Sequence, residues 1–123
     1  SALEAMPWAS LPSERFMHPE DARAQLKKGI ELYQETFGRA PYGIWPSEGS
    51  VSMDMLPIIK EAGIRWIAAD EEILTNSVKK EIYRDAFGNS QSDFLYKPYS
   101  INVEGARISM VFRDRVLSDL IGF

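Results

Sequence analysis

The chemistry in this chain starts at Glu48. It stands in the stretch Gly43-Ile44-Trp45-Pro46-Ser47-Glu48-Gly49-Ser50, where a short apolar run ends at a proline and one acid follows among small residues. The run reads as a buried strand. In α/β proteins the crevice beyond the carboxyl ends of the strands is where ligands bind. A lone carboxylate there, beside a tryptophan, suits a site that cleaves carbohydrate. The same residues also fit a plainer reading, in which Glu48 favours the positive end of the next helix and Trp45 belongs to the core. Two further strand-like runs are followed at once by charge: Asp70 with Glu71 and Glu72, and Arg113 with Asp114. In a parallel sheet these ends face one side, so the charges converge there, although acids at helix starts also cap free N–H groups. Two carboxylates about 5–5.5 Å apart would make a retaining glycosidase geometrically possible.

The other candidates are fewer. Trp45, at a strand end, is the expected ligand contact, whereas Trp66, inside an apolar run, is expected in the core. His18 is expected to cap a helix or to pack. Ser118-Asp119 either caps a turn or binds a hydroxyl, and Lys27-Lys28 and Lys79-Lys80 read as solvated surface. Gly43 and Gly49 lack the spacing of a phosphate-binding loop. There is no cysteine and one histidine. Disulfides, thiol catalysis and multi-histidine metal sites therefore do not arise within these residues, and no metal or cofactor is expected. Absence of cysteine fits a reducing compartment, so a cytoplasmic location is favoured. A net charge of −4 and an isoelectric point near 5.0 argue against nucleic acid as a partner, because phosphate neutralisation needs clustered Lys and Arg. No apolar run reaches membrane-spanning length, and no signal-peptide pattern opens the chain.

The elements that must position these residues alternate. Residues 1–16, with Pro7, Pro12 and Trp8, read as an irregular segment packed over something else. A helix is expected from His18-Pro19, where proline suits the first position and Glu20 and Asp21 the first turn, to a stop at Gly38. Leu26, Ile30, Tyr33 and Phe37 form its apolar stripe. A strand ends near Trp45. A helix with Pro57 in its first turn follows, burying Met55, Ile58, Ile59 and Ala62 and ending at Gly63. Residues 64–69 read as a second strand, with a helical stretch from Ile73. Residues 77–93 read as an inserted loop or lid. Residues 94–99 and 108–112 read as two more strands joined through Glu104-Gly105, and residues 116–121 open a last helix. This order predicts an α/β protein with a largely parallel sheet. The 123 residues suffice for a single domain with a core.

Four blocks in collinear order resemble one family. "RFMHPEDARAQL" (15–26), "FGRAPYGIWPSEGSVS" (37–52), "GIRWIAADEEIL" (63–74) and "FRDRVLSDLIGF" (112–123) are similar to successive stretches of glycoside hydrolase family 57, in its α-amylase and amylopullulanase-like branch. The likeness covers nearly the whole chain. It implies a partial (β/α)7-type barrel and action on α-glucans with retention of configuration. It implies that Glu48, in Trp45-Pro46-Ser47-Glu48, is the covalent nucleophile, a task glutamate performs by attacking the anomeric carbon and leaving when water arrives. Asp70 and Glu71 are then expected to bind or polarise the sugar, and Arg113 and Asp114 to orient Glu48 or a sugar hydroxyl.

In that branch the acid/base is an Asp in a later motif, and an earlier motif carries a cleft histidine; neither has a match in these residues. The chain is accordingly expected to be an internal piece of a larger catalytic barrel, inactive by itself and self-associating through exposed sheet edges. Two other readings stand beside this one. One is a non-catalytic carbohydrate-binding or structural α/β module. The other is a polysaccharide deacetylase, which needs an Asp and two His on a metal and meets a single His here. Hydrolysis, chain transfer and branching share the same nucleophile, and water access decides among them.

Overall fold

The computed structural model describes residues 7–14 and 17–122. Part of the irregular opening segment, including the first two residues of the "RFMHPEDARAQL" block, and the last residue of the "FRDRVLSDLIGF" block lie outside them. Within the described part of that segment Trp8 is 81% exposed.

Helix α1 (Pro19–Phe37) starts and stops as its residues dictate. Pro19 and the acids Glu20 and Asp21 occupy the first turn, and Gly38 closes it in the left-handed conformation, its N–H reaching Gln34 O at 2.8 Å. His18 makes no side-chain capping bond; its Nδ1 meets the Glu20 carboxylate at 2.8 Å instead. No residue of α1 is buried. Ile30 packs against the core, while Phe37, expected in the stripe, is exposed. Arg23 ties the helix to Glu61 at 2.9 Å.

Strand β1 (Gly43–Ile44) leads through turns at Ser47–Gly49 and Met53–Met55 into α2 (Leu56–Glu61). Because α2 starts at Leu56, with Pro57 in its first turn, Leu56 and Ile59 form the buried row; Met55, Ile58 and Ala62, expected there, are half-buried. Strand β2 (Trp66–Asp70) and α3 (Glu71–Val78) follow directly. A connecting segment then leads to a single turn at Asp93–Tyr96, β3 (Tyr99–Val103), β4 (Ala106–Arg113) and α4 (Arg115–Gly122).

The strand expected over 94–99 is a correction. That apolar run forms a 3-10 turn whose one buried side chain is Leu95, and β3 begins only at Tyr99, after Pro98. Proline cannot donate to a ladder and so sits before the strand, not in it. Glu104 and Gly105 have φ of 47° and 79°, the double positive φ that lets a two-residue turn join β3 tightly to β4.

The four strands run in the order β1-β2-β4-β3, with β1, β2 and β4 mutually parallel and β3 antiparallel to β4. This is a mixed α/β fold with a mostly parallel sheet and flanking helices. Ile67, Ala69, Ile108 and Met110 point to one face and bury against Leu56, Ile59 and Ile64. Trp66, Ser109 and Val111 point to the other, which is open. Trp66 is therefore not core: it is 44% exposed. Its register partner is Gly43, where an added Cβ would lie 1.9 Å from the indole, so the glycine makes the room that the ring occupies.

Candidate active site

Because β1, β2 and β4 are parallel, the residues that follow them collect at one end of the sheet. Asp70 and Arg113 are register partners in β2 and β4. Asp70 Oδ1 accepts the Glu72 N–H at 3.0 Å, capping α3, and Oδ2 accepts Arg113 Nε at 2.7 Å. Burial pushes the Asp70 carboxyl up, but the Glu72 N–H and the Arg113 guanidinium more than offset it and hold it below its ordinary value. The Arg113 guanidinium carbon lies 5.9 Å from the Trp45 ring centroid. Its Nη1 also lies 4.0 Å from Asp119. Trp45, 48% exposed, is thus on the surface of the site and not in the core.

Glu48 sits on strained backbone. Its φ of 55° and ψ of 22° are left-handed, and Gly49 follows with φ 63°. A non-glycine residue pays on the order of 1–2 kcal/mol for this conformation. The turn is held by its neighbours: Pro46 and Gly49 are buried, and a Cβ on Gly49 would touch the Trp45 ring at 3.7 Å and the Asp70 backbone nitrogen at 3.8 Å. The turn therefore lies against Trp45 and the end of β2. The Glu48 side chain is exposed, and no hydrogen bond or ion pair engages its carboxylate among the described residues. It caps no helix. Strained backbone that persists around a free functional group is the pattern of ligand-binding sites.

Glu71 and Asp114 are disposed differently. Both are buried, at 6% and 7% exposure, and both face Arg84 from the connecting segment. Arg84 Nη2 donates to Glu71 Oε2 at 2.5 Å, and Nη1 to Asp114 Oδ1 at 3.0 Å and to Gly88 O at 2.8 Å. Glu71 Oε2 also accepts the Arg115 N–H at 3.0 Å; Asp114 accepts the Tyr96 hydroxyl at 2.7 Å and the Leu117 N–H at 3.2 Å. Burial pushes the Asp114 carboxyl up, while the Tyr96 hydroxyl, the Leu117 N–H and Arg84 outweigh it and keep the group below its ordinary value.

The structure thus brings Trp45, Asp70 and Arg113 together beside the Glu48 turn and ties Glu71 and Asp114 into a knot behind them. Arg84 carried no signal in the sequence. It lies in a polar stretch without periodicity, and its partners are 13 and 30 residues away. The expected 77–93 loop starts later, since α3 continues to Val78 and Lys79 ends it with φ 54°. Its turn is built on Asp85, which accepts the N–H groups of Phe87 and Asn89, each at 2.9 Å. Among the described residues no group of three His, Cys, Asp or Glu side chains is placed to hold a metal ion, and no helix is long and apolar enough to cross a membrane.

Comparison with known proteins adds a family. The family model of glycosyl hydrolase family 57 matches residues 7–123. The crystal structure of a 4-alpha-glucanotransferase from Thermococcus litoralis superposes with a TM-score of 0.65 at 23% identity, covering 87% of this chain. The chain spans 15% of the length of that protein. At this identity the likeness is one of fold. No curated protein matches the chain.

Proposed function

This chain belongs to glycosyl hydrolase family 57, and on that premise we propose that it carries the nucleophile side of a retaining site for α-glucans, with Glu48 as the nucleophile. The observation that supports this most is the free, exposed Glu48 carboxylate on strained backbone, packed beside Trp45 and the Asp70–Arg113 pair.

Glu48 attacks the anomeric carbon as the glycosidic bond breaks, giving a glycosyl-enzyme ester that water or a sugar hydroxyl then cleaves. A carboxylate with no partner among the described residues is available for that attack. Asp70 stays ionised through its bonds to Arg113 and Glu72, so it accepts from sugar hydroxyls. Arg113 donates to sugar oxygens from its remaining N–H groups, and Trp45 offers an apolar face to a glucose ring. The proton donor to the leaving group is a carboxylic acid with no match in these residues. The chain alone is therefore expected not to turn over α-glucan at a useful rate.

The open sheet face with Trp66 and Val111, and the free edge of β3, suit a second copy. We expect the isolated chain to self-associate.

The test of the central reading is substitution of Glu48 by Gln in a full-length family 57 protein carrying this segment. Loss of α-glucan turnover with retained oligosaccharide binding supports the nucleophile. Full turnover in the variant contradicts it, and leaves the site a carbohydrate-binding surface at most.

A further inference from the structure

The Arg84 knot lies behind the site and takes no part in the chemistry above. Its guanidinium joins the connecting segment to both strand ends at once. Glu71 follows Asp70 in sequence and Asp114 follows Arg113, so the two buried acids are each one residue from a member of the pair that faces Trp45. Arg84 holds both, at 2.5 and 3.0 Å, and its own loop through Gly88 O at 2.8 Å. The loop is fixed a second time where Gly88 meets Val116: a Cβ there would lie 3.0 Å from Val116 Cγ1. A planar fork with donors in fixed directions can satisfy three acceptors in this way, which a lysine ammonium cannot do with the same geometry.

We propose that Arg84 is a positioning residue for the site, clasping Glu71 and Asp114 so that the Asp70–Arg113 pair is held beside Trp45. The clasp works through backbone. With Arg84 in place, the β2–α3 and β4–α4 junctions are drawn onto one centre, and the side chains one residue upstream of each junction meet at 2.7 Å. Without it, two buried carboxylates face each other with no cation between them, the junctions separate, and the bond between Asp70 and Arg113 loosens. The nature of the ligand rests on the proposed function; the clasp itself does not.

The experiment separates these two. Carboxyl-carbon NMR follows the titration of Asp70 in the 123-residue chain, and maltoheptaose binding is measured on the same samples. The charged groups facing Asp70 are Arg113 and Arg115, and Arg84→Gln leaves both in place. If Arg84→Gln fails to fold, the triple variant Arg84→Met, Glu71→Gln, Asp114→Asn removes the three charges together and keeps the volume. The clasp is supported if Asp70 titrates higher in either variant, toward the ordinary value of about 3.9, while the sheet amide shifts stay in place, and if Arg84→Lys restores it only in part. An unchanged Asp70 titration in a folded variant overturns the clasp and leaves Arg84 a loop staple. In the binding arm, weaker maltoheptaose binding by the variant supports the positioning role, and equal binding by both proteins overturns it. A wild-type chain that binds no maltoheptaose contradicts the glucan reading, whatever the Asp70 result.

Discussion

Asp70 and Arg113 stand opposite each other in neighbouring parallel strands, and Arg113 Nε donates to Asp70 Oδ2 at 2.7 Å, beneath the Trp45 ring. Asp70 caps α3 with its other oxygen. One carboxylate thus joins a helix start, a neighbouring strand end and the floor of the site. Asp70→Ala is expected to lower stability by about 2 kcal/mol, the sum of a lost cap and a lost charge-assisted bond, read as a lower urea midpoint with an unchanged slope.

Acid should weaken the fold through the same residues. The Asp70 and Asp114 carboxyls are both held below their ordinary value in the folded chain. A depressed folded pKa contributes stability above the unfolded value of about 3.9, and this is lost as the pH falls through the folded value. Urea midpoints compared at pH 6 and pH 3 should fall for the wild type. Asp70→Asn should show a smaller fall; an equal one would remove Asp70 from the account.

In the proposed role, Glu48 carries a conflict between stability and function. Its left-handed backbone costs on the order of 1–2 kcal/mol, which glycine does not pay, although glycine returns about half of that in unfolded-state entropy. Glu48→Gly is therefore expected to leave stability unchanged or raise it by up to about 1 kcal/mol, while removing the proposed nucleophile. Thermal unfolding of the variant measures this. A clear loss of stability would mean that the Glu48 side chain itself stabilises the turn.

Gly43 and Trp66 form a size-matched pair. Gly43→Ala places a methyl 1.9 Å from the indole, which must move. A cost of about 1–3 kcal/mol is expected, as for other overpacked sites. Trp66→Ala should remove most of that cost, seen as coupling in a double-mutant cycle. Additive effects would contradict the pairing.

The open face of the sheet is expected to set the solution state. Light scattering should show concentration-dependent association of the isolated chain, and Val111→Lys, on that face, should reduce it. A monodisperse monomer at all concentrations would contradict the proposal.

The sequence made much of this legible because the signals were local. Pro19 and Gly38 bounded α1, and the acids after β1, β2 and β4 marked strand ends that parallel pairing brought to one side. What stayed hidden depended on partners far along the chain. The run from Ile64 to Ala69 reads as uniformly apolar, yet strand alternation turns Trp66 away from Ile67 and onto Gly43. The run 94–99 looks like a strand, but Pro98 and the single buried Leu95 make it a turn. Glu71 and Asp114 could be placed at the right end of the sheet but not assigned a direction. Arg84, which turns them inward, is identified only by its contacts.

The most direct test of the nucleophile is rescue with azide. Glu48→Ala is placed in a full-length family 57 protein carrying this segment, and α-glucan cleavage is measured with and without added azide. The expected result is loss of turnover and its return with azide, giving a glycosyl azide of inverted configuration, because the small anion enters the space left by the carboxylate and attacks from its side. Undiminished cleavage by Glu48→Ala would contradict the account and make Glu48 a structural residue of the turn.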